Sequence, residues 1–166
     1  MNIIDAMIQE LQHEGIGTRK ALERVPEDKF GWKPHDKSMT LGRLASHTAE
    51  IPQWAGVTLT TDEFVFDPAG YVPAEDATSK DLLASFDKHM AAAVEVMTGV
   101  SNEDLMTTWR MKKGDKVIFE LPRIAVLRSM ILNHIVHHRG QLTVYLRLLN
   151  VPVPSIYGPS ADDPGM

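Results

Sequence analysis

The chain contains no cysteine. Disulfides, thiolate metal ligands and a thiol nucleophile of its own are therefore excluded, and any metal must be held by His, Asp or Glu. Basic charge is not in excess: 17 Lys and Arg stand against 22 Asp and Glu, a formal net charge of −5. No run of basic residues stands out, so the basic patch of a nucleic-acid-binding surface is not expected. Apolar runs fall far short of a membrane span. The amino-terminal MNIIDAMIQEL lacks the basic start and apolar stretch of a secretory signal, which leads to the expectation of a cytoplasmic protein. No internal repeat, low-complexity tract or linker breaks the 166 residues. With 43% apolar and 23% charged residues, they suit a single domain, 1–166, with a sizeable core.

Histidine is what the chain does have, and it is clustered. Of seven histidines, three fall in Asn133-His134-Ile135-Val136-His137-His138-Arg139-Gly140-Gln141. This stretch lies within Arg123 to Asn150, which reads as one long helix. Ile124, Leu127, Ile131, His134, His138, Gln141, Tyr145 and Leu148 recur at steps of three and four and form one inward stripe. His134 and His138 stand where Leu or Ile would be expected. Residues four apart on a helix are stacked neighbours, so both imidazoles can reach one point. Such a pair is either a half-built metal site or two core histidines held by hydrogen bonds.

Elsewhere the chain reads as three more helices and their connections. Ile3 to Arg24 carries an apolar face of Ile4, Met7, Ile8, Leu11, Ile16, Ala21, Leu22 and Val25. Gly15 and Gly17 within it imply a kink or a close neighbour, and His13 is expected at the surface. Phe30 and Trp32 are expected to anchor the following loop, or to line a pocket, and His35 to be exposed. Ser38 or Thr40 caps a helix from Leu41 to about Leu59, kinked at Pro52. Its stripe is Leu44, His47, Ile51 and Trp54, so His47 faces inward from a second helix. Residues 60–78 read as a long crossover loop. Ser79 caps a third helix, Lys80 to Met97, with His89 at its rim. Residues 99–103 read as a turn, and Trp109 to Glu120 as a β-hairpin around Lys113-Gly114-Asp115. After Asn150 the tail is extended, with Ile156 and Tyr157 as docking points.

Leu44-Ala45-Ser46-His47, the Asn133–Gln141 segment and Pro154-Ser155-Ile156-Tyr157-Gly158-Pro159-Ser160 together resemble the DinB-like (damage-inducible, YfiT-like) family. The similarity covers almost the whole chain. It implies an all-α, up-down-down-up four-helix bundle, here with the short β-hairpin between helices 3 and 4, and usually a homodimer. It also implies one divalent metal ion per chain, commonly Zn or Ni, on three histidines, which here are His47, His134 and His138. His137, one position off the stripe, is assigned to a supporting or surface role, with a His134–His137 chelate as the alternative.

Three functional classes follow. The first is a metal-dependent enzyme of hydrolase or thiol-transferase type. Three neutral histidines leave an open position for water, substrate or thiolate, and a bound divalent ion acidifies water or a thiol. Without cysteine, the thiol must be a diffusible low-molecular-weight cosubstrate. Glu50, three residues after His47, is a candidate base or a solvated surface carboxylate. Gln141, one turn past His138, is a candidate for orienting a ligand or a water. Arg139 pairs with an anionic substrate, or serves the surface or a dimer contact. The second class is a non-catalytic metal-binding, stress-related structural or sensor module, which requires a fourth protein ligand. The third is a bundle with three unmetallated core histidines.

Overall fold

The computed structural model describes residues 2–165. Its long helical stretches are α1 (Ile3–Leu22), α2 (Leu41–Glu50) continued by α3 (Trp54–Thr60), α4 (Ser79–Met97), and α6 (Arg123–Leu127) continued by α7 (His134–Leu148). A short helix, α5 (Asn102–Met106), and three strands, β1 (Glu63–Val65), β2 (Thr108–Lys113) and β3 (Lys116–Pro122), complete the fold. Both α1 and α2 pack against α4 and α7. The core between them is aliphatic: Ile4, Leu11, Leu44, Ala45, Ile51, Leu82, Ile135, Leu142 and Leu146 are all fully buried. Each of the larger side chains contributes about 1.5–3 kcal/mol by leaving water.

Local chemistry sets the helix ends. Thr40, rather than Ser38, caps α2, its hydroxyl accepting from the Arg43 N–H at 3.2 Å. Thr78, not the expected Ser79, caps α4 through the Asp81 N–H at 3.1 Å. Ser101 accepts from the Asp104 N–H at 3.0 Å, so the expected turn at 99–103 runs into α5. Such caps are worth about 1 kcal/mol each. Pro52 has no N–H to donate, and the second helix breaks there into a 3-10 turn, Ile51–Gln53. Helix α1 stays continuous through both glycines, and each admits a close neighbour. A Cβ at Gly15 would lie 2.5 Å from Met90 Cε, and one at Gly17 would lie 3.1 Å from Ile156. Ile16, expected inside, is 62% exposed.

The expected β-hairpin is two strands of a three-stranded sheet. β2 and β3 pair antiparallel, and β1, from the stretch expected to be loop, adds to β2 in parallel with Phe64 opposite Met111. Only three residues long, β1 carries too little alternation to separate it from loop. The sheet packs on the helices through Trp109, which is fully buried, and projects Phe66 and Met111 toward α2 and α7.

The fourth helix departs most from its expected pattern. Between α6 and α7, Arg128–Asn133 form a π-helical stretch. A π turn takes up one more residue than an α turn, so the buried positions beyond it run one later than a uniform 3.6-residue period gives. Leu142 and Leu146 are buried in place of Gln141 and Tyr145, and Leu148 is 56% exposed.

Candidate metal centre

His47 projects from α2, and His134 and His138 from successive turns of α7, the helix facing it. Their ring centroids are 5.1 Å apart for His47–His134, 4.6 Å for His47–His138 and 4.6 Å for His134–His138. One ring nitrogen from each lies within 4.8 Å of the others. The remaining histidines stay outside. His13 and His35 are exposed, and His89 is half-buried with Nδ1 3.0 Å from the Ala49 carbonyl. His137 is exposed, its ring 4.8 Å from that of His138; it is not in the converging group.

Each of the three rings is fixed from behind. His47 Nδ1 lies 2.7 Å from Glu50 Oε1, and His138 Nδ1 lies 2.7 Å from Gln141 Oε1. His134 Nδ1 lies 3.3 Å from the Met130 carbonyl, which belongs to the π-helical stretch. All three partners are oxygens, so the proton of each neutral ring sits on Nδ1 and the Nε2 lone pair is left to the interior. Yet His134 Nε2 and His138 Nε2 are 2.9 Å apart. Two lone pairs at that separation repel unless a cation or a proton lies between them. Imidazoles anchored through Nδ1 and converging through Nε2 are the arrangement by which proteins prepare histidines for a divalent ion, so this donor set fits one.

Electrostatics favour the neutral, ligating form. Burial pushes the His138 imidazole down to about 4, against the hydrogen bond that His138 donates to Gln141 and with help from the neighbouring histidines. Burial also lowers His134, and His47 adds to the effect. Glu50 is buried, not the solvated carboxylate of the surface reading. Burial alone would raise its pKa, but the hydrogen bond to His47 and the Arg43 guanidinium outweigh it and hold the carboxyl below its ordinary value. Glu50 and Gln141 therefore both reach the cluster through a histidine. Gln141 does so from an exposed position on α7.

A cavity of about 380 Å³ opens on the cluster. His47, Glu50 and His134 border it on one side, and Trp54, Phe66, Tyr71, Met111 and Met130 supply a largely apolar wall. Sequence reading did not single out Tyr71, Met111 or Arg43. Arg43 was legible in principle, because it lies one turn before His47 and shares a helix face with it. Arg139 is absent from this wall. It is 3% exposed and ion-paired to Glu14 at 2.7 Å, with the Tyr157 hydroxyl 2.6 Å away. That corrects both its expected roles, as a substrate contact and as a surface or dimer residue. It fastens the carboxy-terminal tail to α1, with Tyr157 donating to Glu14 at 2.7 Å.

A mainly helical fold with a small sheet, and three histidines converging from two facing helices, define a recognisable class. The DinB family profile matches residues 1–165, and the chain belongs to the DinB family. It is 27% identical over 167 residues to the uncharacterized protein YrdA of Bacillus subtilis strain 168, covering 96% of this chain and 91% of YrdA. Its fold is similar to that of a DinB-like protein from Bacillus cereus ATCC 10987, with a TM-score of 0.71 at 25% identity, covering 94% of this chain and 98% of the other. The DinB-like protein YjoA of Bacillus subtilis matches with a TM-score of 0.67 at 20% identity, over 92% of its length and 87% of this chain. No helix among the described residues is long and apolar enough to cross a membrane.

Proposed function

We propose that the chain is a divalent-metal-dependent enzyme, of hydrolase or thiol-transferase type, whose ion is held by Nε2 of His47, His134 and His138. The observation that carries this reading is that the three-histidine cluster meets a roomy cavity, with His47 and His134 on its wall and His138 buried behind them. A structural site would be closed by a fourth ligand. The residues converging on one point among those described are three histidines, and the nearby carboxylate, Glu50, is engaged with His47 and Arg43. That favours an open position facing the cavity over a structural or sensor module.

When bound there, a zinc or nickel ion would acidify a water or a thiol and so supply the nucleophile. The chain's own residues prepare the site. Glu50 and Gln141 hold the rings of His47 and His138 in one orientation, burial keeps His134 and His138 unprotonated, and Trp54, Phe66 and Met130 exclude bulk water from one side. With no cysteine in the chain, a thiol reaches the site only as a small diffusible cosubstrate. We further read the chain as a single domain, an up-down-down-up bundle of its four long helical stretches, working as a cytoplasmic homodimer.

Cobalt substitution tests the open site. Adding a low-molecular-weight thiol to the cobalt-loaded protein should produce a sulfur-to-metal charge-transfer band. A spectrum unmoved by thiol would count against thiol transfer, leaving hydrolysis to be assayed. A four-protein-ligand spectrum would overturn the enzyme reading.

A further inference from the structure

One guanidinium joins the cavity wall to the histidine cluster. Arg43 lies on α2, one turn before His47 and two turns before Glu50. Its Nη2 donates to Glu50 Oε1 at 3.2 Å and to the Tyr71 hydroxyl at 2.8 Å, and its Nη1 donates to the Ala74 carbonyl at 3.3 Å. Glu50 Oε1 is the same atom that holds His47 Nδ1. The side chain of Arg43 is 17% exposed and that of Glu50 11%, so the Arg43–Glu50 part of the link is largely shielded from water, whereas Tyr71 is 47% exposed.

The loop at the far end of this link has little else to hold it. The segment enters from β1 with the Phe66 N–H bonded to the Lys112 carbonyl at 2.8 Å. It leaves with the Asp76 N–H bonded to Ser46 Oγ at 2.9 Å. Between them, among the described residues, the hydrogen bonds from residues 67–75 to the rest of the protein both go to Arg43. The one other bond there, from the Ala69 N–H to Asp67, is internal to the loop. Tyr71 and Phe66, whose rings are 5.8 Å apart, form part of the cavity wall. Arginine alone has the planar, multi-donor fork to serve a carboxylate, a phenol and a carbonyl at once; lysine presents a single point charge.

We propose that Arg43 is a positioning residue that couples the seating of loop 67–75 over the cavity to the orientation of His47. Closing the loop fixes Arg43, Arg43 fixes Glu50, and Glu50 fixes the imidazole. By reciprocity, holding His47 in place steadies the loop. In its metal-loaded form the inference rests on the metal reading above; the link between loop and His47 does not.

Hydrogen–deuterium exchange of residues 67–75, read by mass spectrometry on the full chain, tests the coupling. Loading the wild-type protein with zinc should slow exchange of this loop. In Arg43→Met the loop should exchange about five- to thirtyfold faster, the factor carried by one or two net hydrogen bonds. Zinc should then leave its exchange unchanged. Arg43→Lys should not rescue the coupling. Tyr71→Phe, which keeps Arg43 and Glu50, should loosen the loop and, by the same linkage, weaken zinc binding by up to about fivefold, the factor of one net hydrogen bond; a loosened loop with unchanged zinc affinity would contradict the coupling. Circular dichroism and thermal melts identify any variant that fails to fold, and Tyr71→Phe then carries the test.

The same coupling is readable without metal. His47→Ala should loosen the loop in the wild-type background and have no effect on it in Arg43→Met. If the wild-type chain binds no zinc but this dependence holds, the metal reading falls and the coupling stands. If the chain binds zinc while loop exchange ignores both zinc and His47→Ala, or if Arg43→Met keeps the full response, the coupling is wrong.

Discussion

His134 Nε2 and His138 Nε2 face one another at 2.9 Å, although an oxygen already stands behind each ring. Neighbouring turns of one helix bring the two rings together, and the hydrogen bonds behind them fix which nitrogen carries the proton. His47, from the opposite helix, completes a set of three donors.

Removing any one donor should empty the site. His47→Ala, His134→Ala and His138→Ala are each expected to lose metal on gel filtration, whereas His13→Ala and His35→Ala, both at exposed positions, should retain it. Elemental analysis of the eluted protein reads the difference. Full occupancy in His47→Ala would mean that the two helix faces do not share an ion.

The residues behind the histidines should matter less, but measurably. Glu50→Ala and Gln141→Ala each leave a ligand imidazole without its orienting partner, which typically weakens metal affinity by about 10- to 100-fold. Competition against a chromophoric chelator measures the loss. An unchanged affinity in both would place Glu50 and Gln141 outside the site's function.

Metal-free protein should lose stability on mild acidification. The folded-state value for His138 is lowered to about 4, and that of His134 is also lowered, burial being the first cause of each. In the unfolded chain both titrate near 6.5. Above that pH both states are neutral and there is no penalty. As pH falls from about 6.5 toward about 4, the unfolded chain takes up protons that the folded chain refuses, and stability declines with it. Urea midpoints should therefore drop between about pH 7.5 and about pH 5, and the drop should be smaller in His138→Gln, which carries no titrating ring.

The buried ion pair in the tail clamp makes a separate prediction. Arg139→Ala leaves Glu14 buried and unpaired beneath Tyr157, and should destabilise by about 3–5 kcal/mol. Tyr157→Phe removes one hydroxyl that both donates and accepts, at a cost of about 1 kcal/mol. In a chain of this size that lowers Tm by about 2–4 °C. Neither should alter metal content, because the clamp lies on the α1 side of α7.

Periodicity made the histidines legible. Two residues four apart on an apolar run, and one on a second run, were enough to place His47, His134 and His138 on facing helices. The resemblance to a known family supplied the metal. Periodicity assumes a uniform turn, however, and the π-helical stretch at Arg128–Asn133 breaks that assumption. A uniform period thus places Gln141 inward, whereas it is Leu142 that is buried and Gln141 bonds His138 from an exposed position. Arg139 departs from its expected roles for a related reason: a charge inside a helix core is readable only once its partner, Glu14, is known to sit across from it. β1 escaped notice because its pairing with β2 is nonlocal, and the cavity wall with it, since Tyr71 and Met111 meet the site only through the folded sheet and loop.

The proposed activity requires that the three histidines hold one divalent ion. Elemental analysis of untagged protein, purified without added metal and again after reconstitution with zinc, tests it most directly. The expected result is near one ion per chain after reconstitution, lost in His134→Ala. No bound metal in either preparation would make the three histidines ordinary core residues and would contradict the proposed activity.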